Sequence, residues 1–150
     1  MKEIADFIYH LQCPSVDGII SPNGKIQLLD VRIDWGPPVK YDVRAGLESS
    51  IDELQNKGEL RWSDCAILNS LQDQENEIEI LSGEADYGSD GFLAVVGLTT
   101  RKLIWLAFFN SSNPFSKVKI NDGYIYATST NNCLWKFSFK NPLLCTVECQ

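Results

Sequence analysis

The stretch LIWLAFF, Leu103–Phe109, decides the fold, because it is apolar at every position and far too short to cross a membrane as a helix. A strand that is apolar on both faces is typical of the centre of a sheet, where both faces are covered. A second apolar run, Phe92–Leu98, precedes it, and a short polar turn separates the two. We therefore predict a β-sheet with Leu103–Phe109 at its centre.

Short strands separated by turn residues follow this central stretch. Lys117–Ile120 alternates lysine with apolar residues, which predicts a strand whose lysines are directed outward. Asparagine, aspartate and glycine residues then mark two turns, one before Tyr124–Thr130 and one before Cys133–Phe139. Strands that follow one another through tight turns usually pair with their neighbours, so the carboxyl-terminal half is predicted to contain an antiparallel meander.

The amino-terminal half favours helices. Apolar residues recur at helical spacing in residues 4–11 and again in residues 45–57, where Gly58 suits the position just past a helix end. Residues 62–72 fit either a strand or a helix capped by Ser63, and we predict the helix. Two or three helices are therefore expected to cover the carboxyl-terminal meander.

One hairpin is also expected in the amino-terminal half. Residues 25–35 alternate apolar and polar or charged residues, a Gly-Pro-Pro sequence then breaks the chain, and residues 39–44 can return as the partner strand. Together these elements predict an α+β protein, a single domain of residues 1–150.

The composition describes one globular domain with an excess of negative charge. Of 150 residues, 44% are hydrophobic and 22% are charged, with 20 acids, 13 bases and a net charge of −7. The excess lies in residues 1–90, which hold 18 acids and 7 bases, whereas residues 91–150 hold 2 acids and 6 bases. A net charge of this sign argues against non-specific binding to nucleic acid or to anionic membranes.

The cysteines and the amino-terminal sequence predict a cytoplasmic protein. The cysteines are five, an odd number, and irregularly spaced, which favours reduced thiols. Cys145 and Cys149 would lie about 13 Å apart along a strand, too far to share one zinc ion. Glu3 and Asp6 interrupt any secretion signal, and no run reaches the length of a membrane helix. We therefore expect no metal site and no membrane contact.

The sequence lacks catalytic motifs. His10 is its single histidine, so a serine or cysteine nucleophile would have one candidate base. No nucleophile elbow, phosphate-binding loop or paired-histidine motif occurs. The stretch from Asp86 to Gly91 resembles the start of a calcium loop, but Gly88 and Gly97 stand where ligands are needed. The chain is therefore predicted to be a non-enzymatic protein without a cofactor.

The most concentrated chemistry is an acidic stretch without lysine or arginine. Within it, Glu75, Glu77 and Glu79 occupy alternate positions, which predicts a strand with three carboxylates about 6.6 Å apart on its solvent-facing side. Like charges so arranged repel one another unless a cationic surface neutralises them. An acidic face can also be merely solvated and protect an edge strand from aggregation. We predict that a positively charged partner binds seven residues, Asp73, Glu75, Glu77, Glu79, Glu84, Asp86 and Asp90.

In size, acidity and lack of a catalytic motif, the chain resembles the immunity proteins that bacteria make against secreted or contact-delivered toxins. The resemblance is one of general build and covers no motif, so no residue role is carried over from that family. It implies a non-enzymatic inhibitor that binds a basic toxin domain through its acidic surface. Opposite fields would speed the encounter and reject wrong partners.

Two other functions stay open. A small carboxylate-dependent hydrolase needs a concave pocket with two close acids. A binder of single-stranded nucleic acid needs lysines and aromatic residues on one open sheet face that no helix covers. The candidate residues for that second alternative are Lys117, Lys119, Tyr124, Tyr126, Trp135 and Lys136.

Overall fold

The computed structural model describes residues 3–150, of which 56% lie in strands and 9% in helices. The thirteen strands of this range are β1 (Gln12–Pro14), β2 (Gly18–Ile20), β3 (Lys25–Asp34), β4 (Lys40–Ser50), β5 (Trp62–Asp64), β6 (Ala66–Asp73), β7 (Ile78–Glu84), β8 (Gly91–Gly97), β9 (Leu103–Phe109), β10 (Phe115–Asn121), β11 (Tyr124–Ser129), β12 (Cys133–Ser138) and β13 (Cys145–Cys149). The helical segments are a 3₁₀ turn (Ile4–Asp6), α1 (Phe7–His10) and α2 (Ile51–Asn56). None of these segments has the length and apolarity that crossing a membrane requires.

Seven strands form the central sheet in the order β4-β3-β2-β9-β8-β7-β6, and every neighbouring pair is antiparallel. The sheet consists of two meanders, β2–β3–β4 and β6–β7–β8–β9, which join where β2 pairs with β9. Strand β9 carries the sequence LIWLAFF and occupies the middle position. The prediction that this stretch lies at the centre of a sheet is therefore confirmed.

Strands β10–β13 form a third meander, a four-stranded sheet that packs on one face of the central sheet. Strand β10 lies against β6 and β7, and β13 lies against β4. The inward side chains Phe115, Trp135 and Phe137 are fully buried between the sheets. The ring centroids of Trp135 and Phe109, from facing sheets, are 4.5 Å apart. This aromatic layer joins the two sheets into a sandwich.

The opposite face of the central sheet is covered by the amino-terminal segment, by α2 and by a small ribbon in which β1 pairs with β5. Phe7 of α1 is fully buried and packs edge-on against Phe92 of β8, at 5.7 Å between ring centroids. Apolar side chains of the cover and the sheet make a second core, which includes Ile4, Cys13, Ile20, Ile26, Leu54, Cys65, Leu81, Leu106 and Phe108. The apolar middle strands of the central sheet are thus buried on both faces, as their sequences require.

The predicted α+β class is wrong, because the chain is almost entirely β. Residues 45–50, predicted to begin a helix, continue β4 and pair with β3, so the helix shrinks to α2. Backbone pairing of β4 with β3 outweighs the helical spacing of the apolar residues in this segment. Leu47, which belongs to that pattern, is 80% exposed. Residues 62–72, also predicted to be helical, form β5 and most of β6. The helical cover expected over the meander therefore reduces to a few turns, and these cover the central sheet instead.

Two cysteines are joined where β12 and β13 pair. Cys133 and Cys149 are partners in the register of these strands and form a disulfide bond. The prediction that all five thiols stay reduced is therefore wrong for this pair. The spacing of the cysteines along the chain does not contain this information, because the register of the two strands decides which cysteines meet.

Candidate functional site

The seven acidic residues predicted to form one surface are divided between the two ends of β7. Asp73, Glu75 and Glu77 lie at the β6–β7 turn, since β6 ends at Asp73 and β7 begins only at Ile78. Glu84 and two more acids lie at the other end of β7, a strand of seven residues that spans roughly 20 Å. The prediction of one continuous acidic strip is therefore wrong.

The β6–β7 turn keeps three of these acids at the surface. The Asp73 carboxylate accepts hydrogen bonds from the Glu75 amide at 3.1 Å and from the Asn76 side chain at 2.7 Å. Residues 74–77 form the turn, and Glu77 there has a left-handed φ of 55°. The predicted row of three carboxylates on one strand is wrong because the alternating sequence begins inside this turn.

Glu79 lies within β7 and is already neutralised. Its carboxylate accepts a hydrogen bond from Nη1 of Arg101 at 2.7 Å, and its side chain is largely buried. An ion pair that is held inside the protein presents no free charge to a partner. Glu79 therefore holds the β8–β9 turn in place through Arg101. It is not part of the surface that a partner could bind.

At the other end of β7, two acids organise the backbone. Asp90 is buried, and its carboxylate accepts hydrogen bonds from the amides of Ala85 at 2.8 Å and Tyr87 at 3.4 Å. The Asp86 carboxylate accepts a hydrogen bond from the amide of Asp64 at 3.2 Å. Both carboxylates shape the loop between β7 and β8, which is a structural role.

Asp90 gives a pH-dependent test of this structural role. Burial, opposed in part by its backbone hydrogen bonds, raises the pKa of Asp90, so the folded state holds the proton more tightly than the unfolded state. Its favourable contribution is complete below the ordinary carboxyl pKa and is lost as pH rises through the raised pKa. Asp90→Asn keeps an acceptor oxygen for Ala85 and does not titrate.

We therefore expect the free energy of unfolding of the wild type, relative to Asp90→Asn, to fall as the pH rises from the ordinary aspartate pKa of about 3.9 through the raised pKa of Asp90. Urea unfolding of both proteins at several pH values measures this difference. If the difference in unfolding free energy between the two proteins stays constant over this pH range, the pKa of Asp90 is not raised. The absolute size of that difference does not matter for this test.

Residues 3–150 include two clefts that are large enough for a small molecule, and none of the seven acids lines these two. One cleft, of about 550 Å³, lies between the amino-terminal segment, the β1–β5 ribbon and α2, and its lining includes Glu3, Asp52 and Trp62. The other, of about 580 Å³, lies between α2 and the β12–β13 loop. The carboxylate-dependent hydrolase therefore draws no support from the acidic stretch.

The outer face of the four-stranded sheet brings three lysines and two tyrosines together. Lys117 and Lys119 lie on β10, Tyr124 and Tyr126 on β11, and Lys136 on β12. These five residues, which we call the Lys–Tyr face, alternate with buried residues and are all at least partly exposed. They therefore point away from the central sheet into solvent.

The strand register places charge directly beside the aromatic rings. Lys119 is opposite Tyr126, and Tyr126 is opposite Lys136, so these three residues form one row across three strands. Nζ of Lys136 lies over the rings of both tyrosines, 4.2 Å from the ring centroid of Tyr124 and 5.9 Å from that of Tyr126. The ammonium group is attracted to both ring faces. Charge and aromatic surface thus form one continuous patch.

Trp135 does not belong to this patch. It was predicted as one of its aromatic residues, but it alternates with Lys136 and is fully buried in the core between the sheets. Glu148 of β13 lies opposite Leu134 and places one carboxylate toward the edge of the same face. Alternation along β12 is the signal that could have separated Trp135 from Lys136, because neighbouring residues of a strand point to opposite sides.

Comparison of the chain with protein-family models, with curated proteins and with solved structures finds no match.

Proposed function

We propose that the protein is a non-enzymatic binding protein and that its partner is a single-stranded nucleic acid, held on the Lys–Tyr face. The observation that carries the proposal is the row of Lys119, Tyr126 and Lys136, with Tyr124 against the same lysine. Proteins that bind single strands combine aromatic side chains, on which bases stack, with cations that follow the phosphate backbone. Both components are present here on one exposed surface.

The two tyrosines suit neighbouring bases. Tyr124 and Tyr126 are two residues apart on β11 and point to the same side, so their Cα atoms are about 6.6 Å apart. The Lys136 ammonium lies over both rings and moves aside when a base stacks there, and Lys119 flanks Tyr126 on its other side. A strand that stacks two bases on these rings would therefore bring its phosphates close to lysines on both sides.

The net charge of −7 does not prevent this contact, because the charge is unevenly distributed. The whole Lys–Tyr face comes from residues 91–150, which hold 6 bases and 2 acids. At physiological ionic strength charges are screened over about 8 Å, so the local lysines govern a phosphate at the surface. The acids of residues 1–90 reduce long-range attraction and favour contact through this face alone.

Binding of a fluorescent oligothymidine, followed by anisotropy at increasing salt, tests the proposal. Each phosphate of a single strand that a lysine neutralises contributes about −0.7 to the slope of log binding constant against log salt concentration. Three lysines that neutralise three phosphates should therefore give a slope of about −2. Tyr126→Ala should weaken binding by roughly 5-fold to 150-fold, because stacking contributes about 1–3 kcal/mol per base. Replacement of Lys117, Lys119 and Lys136 by glutamine should remove most of the salt dependence.

The matched control replaces the same number of lysines elsewhere, with Lys25, Lys40 and Lys57 changed to glutamine. This control should bind as the wild type does. An equal loss of binding in both triple variants would show that net charge, and not the Lys–Tyr face, governs the contact. Failure of the wild type to bind at low salt would reject a nucleic-acid partner.

A basic protein partner is a second proposal, and the exposed β6–β7 turn favours it. Asp73, Glu75 and Glu77 are the part of the predicted acidic surface that remains together, with Glu75 and Glu77 exposed and Asp73 partly exposed. By resemblance to immunity proteins, the partner would be a bacterial toxin domain. Reversal of Glu75 and Glu77 to lysine would then slow association with that partner at low salt, since rim charges act mainly on the rate of encounter.

The cytoplasmic location remains a prediction from the sequence, and the structure contradicts one of the premises on which it was based. It was drawn partly from five reduced thiols, whereas Cys133 and Cys149 form a disulfide. Bonds of this kind persist mainly in oxidising compartments.

A further inference from the structure

Two more cysteines face each other in the cover over the central sheet. Cys13 lies on β1, and Cys65 directly follows β5, the strand that pairs with β1. The Cys65 amide donates a hydrogen bond of 2.7 Å to the Leu11 carbonyl, which fixes the two chain segments side by side. Their Sγ atoms are 3.4 Å apart, and the two residues are 0% and 8% exposed.

We propose that Cys13 and Cys65 form a second disulfide bond when the chain folds in the presence of a small-molecule disulfide. The two sulfurs need to approach by only about 1.4 Å to reach a bonding distance near 2.05 Å. Rotation about the two Cα–Cβ bonds can supply a movement of this size. No other cysteine is paired with either residue, since Cys133 and Cys149 are bonded to each other and Cys145 lies on β13.

The reaction is a thiol–disulfide exchange in two steps. The Cys13 thiol loses its proton, and the thiolate attacks oxidised glutathione, which gives a mixed disulfide and releases one glutathione thiolate. The Cys65 thiolate then attacks the Cys13 sulfur, forms the Cys13–Cys65 bond and releases the second glutathione thiolate. The two released thiolates take up the two protons, and oxidised glutathione accepts the two electrons that the cysteine pair gives up.

The bond has to form before the cover closes. Burial, together with the contact to Cys65, raises the pKa of Cys13 well above its ordinary value, so the folded protein holds it as an unreactive thiol. While the β1–β5 ribbon is open, both thiols are solvated and accessible to the oxidant. Packing of the ribbon on the sheet then protects the finished bond from reduction.

The bond would tie the amino-terminal segment to the rest of the cover. It joins residue 13 to residue 65 and closes a loop of about 50 residues, which restricts the unfolded chain. The chain-entropy relation for such a loop gives a decrease in the unfolding equilibrium constant of roughly 1,000-fold. The same relation gives the Cys133–Cys149 bond a smaller effect, because its loop is shorter, with a separation of 16 residues.

Refolding of the reduced, denatured protein in a glutathione redox buffer tests the proposal. After alkylation of free thiols under denaturing conditions, mass spectrometry should find one alkylated thiol, Cys145, and a peptide in which Cys13 is linked to Cys65. Burial raises the pKa of the Cys145 thiol to about 12, which keeps it protonated and unreactive in the folded protein. Cys13→Ser should leave two alkylated thiols, and the control Cys145→Ser should leave none.

Peptide mapping of the wild type keeps the test decisive even where Cys13→Ser folds poorly. Three alkylated thiols in the refolded wild type, with Cys133 still linked to Cys149, would overturn the proposal. Linkage of Cys13 or Cys65 to any of the three carboxyl-terminal cysteines would also overturn it. Nucleic-acid binding is not used as a readout, so this result is independent of the proposed function.

Discussion

Replacing Trp135 with alanine is expected to lower the free energy of unfolding by about 3–5 kcal/mol, the usual cost of removing a large aromatic side chain from a core. Trp135 is fully buried at the centre of the sandwich, with the ring centroids of Phe109, Tyr41 and Phe115 at 4.5, 5.1 and 5.5 Å. Its loss would open a cavity that two sheets border, and the strands cannot close it without shifting their register. The total free energy of unfolding of a natural domain is only about 5–15 kcal/mol. Much of the Trp135→Ala protein would therefore unfold at modest urea concentrations.

Trp135→Phe is the matched variant, and it should cost less than half as much. Within residues 3–150, no group accepts a hydrogen bond from Nε1 of Trp135, although this atom is buried. A buried donor without a partner costs about 1–3 kcal/mol, so its removal offsets part of the lost packing. Urea unfolding of both variants measures the comparison. Equal losses of stability in the two variants would contradict this expectation.

Gly83→Ala is the second substitution with a large expected effect, about 3 kcal/mol or more, because it forces a clash between two backbones. Gly83 lies on β7, opposite the point where the register of β6 shifts between Ile67 and Asn69. A Cβ atom added at Gly83 would lie 1.9 Å from the carbonyl oxygen of Ala66, an atom that cannot rotate away. Relief of this clash requires β6 to separate from β7, which breaks part of their ladder.

Gly58→Ala is the control for the general cost of replacing glycine. Gly58 has a left-handed φ of +70°, and a Cβ atom there would have no neighbour within 4 Å. Its cost is therefore the left-handed backbone penalty alone, about 1–2 kcal/mol. Thermal unfolding of both variants should show a clearly larger decrease for Gly83→Ala, and equal decreases would contradict a tight approach of β6 to β7.

The parts of the fold that could be predicted from the sequence are those with an unambiguous pattern. The wholly apolar Leu103–Phe109 predicts a strand in the middle of a covered sheet, and it lies there. The alternation of residues 25–35 and the turn residues between β10, β11 and β12 likewise correspond to observed strands. In these segments local preference and tertiary packing agree.

Most of the residues that were predicted wrongly to be helical lie in strands at the two edges of the central sheet. Edge strands such as β4 and β6 bury fewer side chains, so their apolar pattern is weak and can match helical spacing by chance. The exposed Leu47 completed a helical pattern with Ile51 and Leu54. Ile67 and Leu68 on β6 are also exposed, at 39% and 47%. Pairing with the neighbouring strand decided both structures, and no window of sequence contains that information.

The candidate site shows the same limit. The outward direction of Lys117 and Lys119 followed from alternation, but the proximity of Lys136 to both tyrosines depends on the register of three strands. The prediction that the acidic stretch forms one strand was wrong for a related reason. The predicted strand began at Glu75, whereas Asp73 initiates a turn and delays the strand to Ile78, which places the carboxylates in different environments.

The junction between β2 and β9 has a consequence for the order of assembly during synthesis. Ile19 pairs with Ala107, so the first meander emerges from the ribosome long before its partner strand exists. At roughly 5–20 residues per second, the nascent chain waits several seconds or more with the inner edge of β2 unpaired. A chaperone that shields this edge, or slower translation just after residue 109, is therefore expected to change the yield of folded protein.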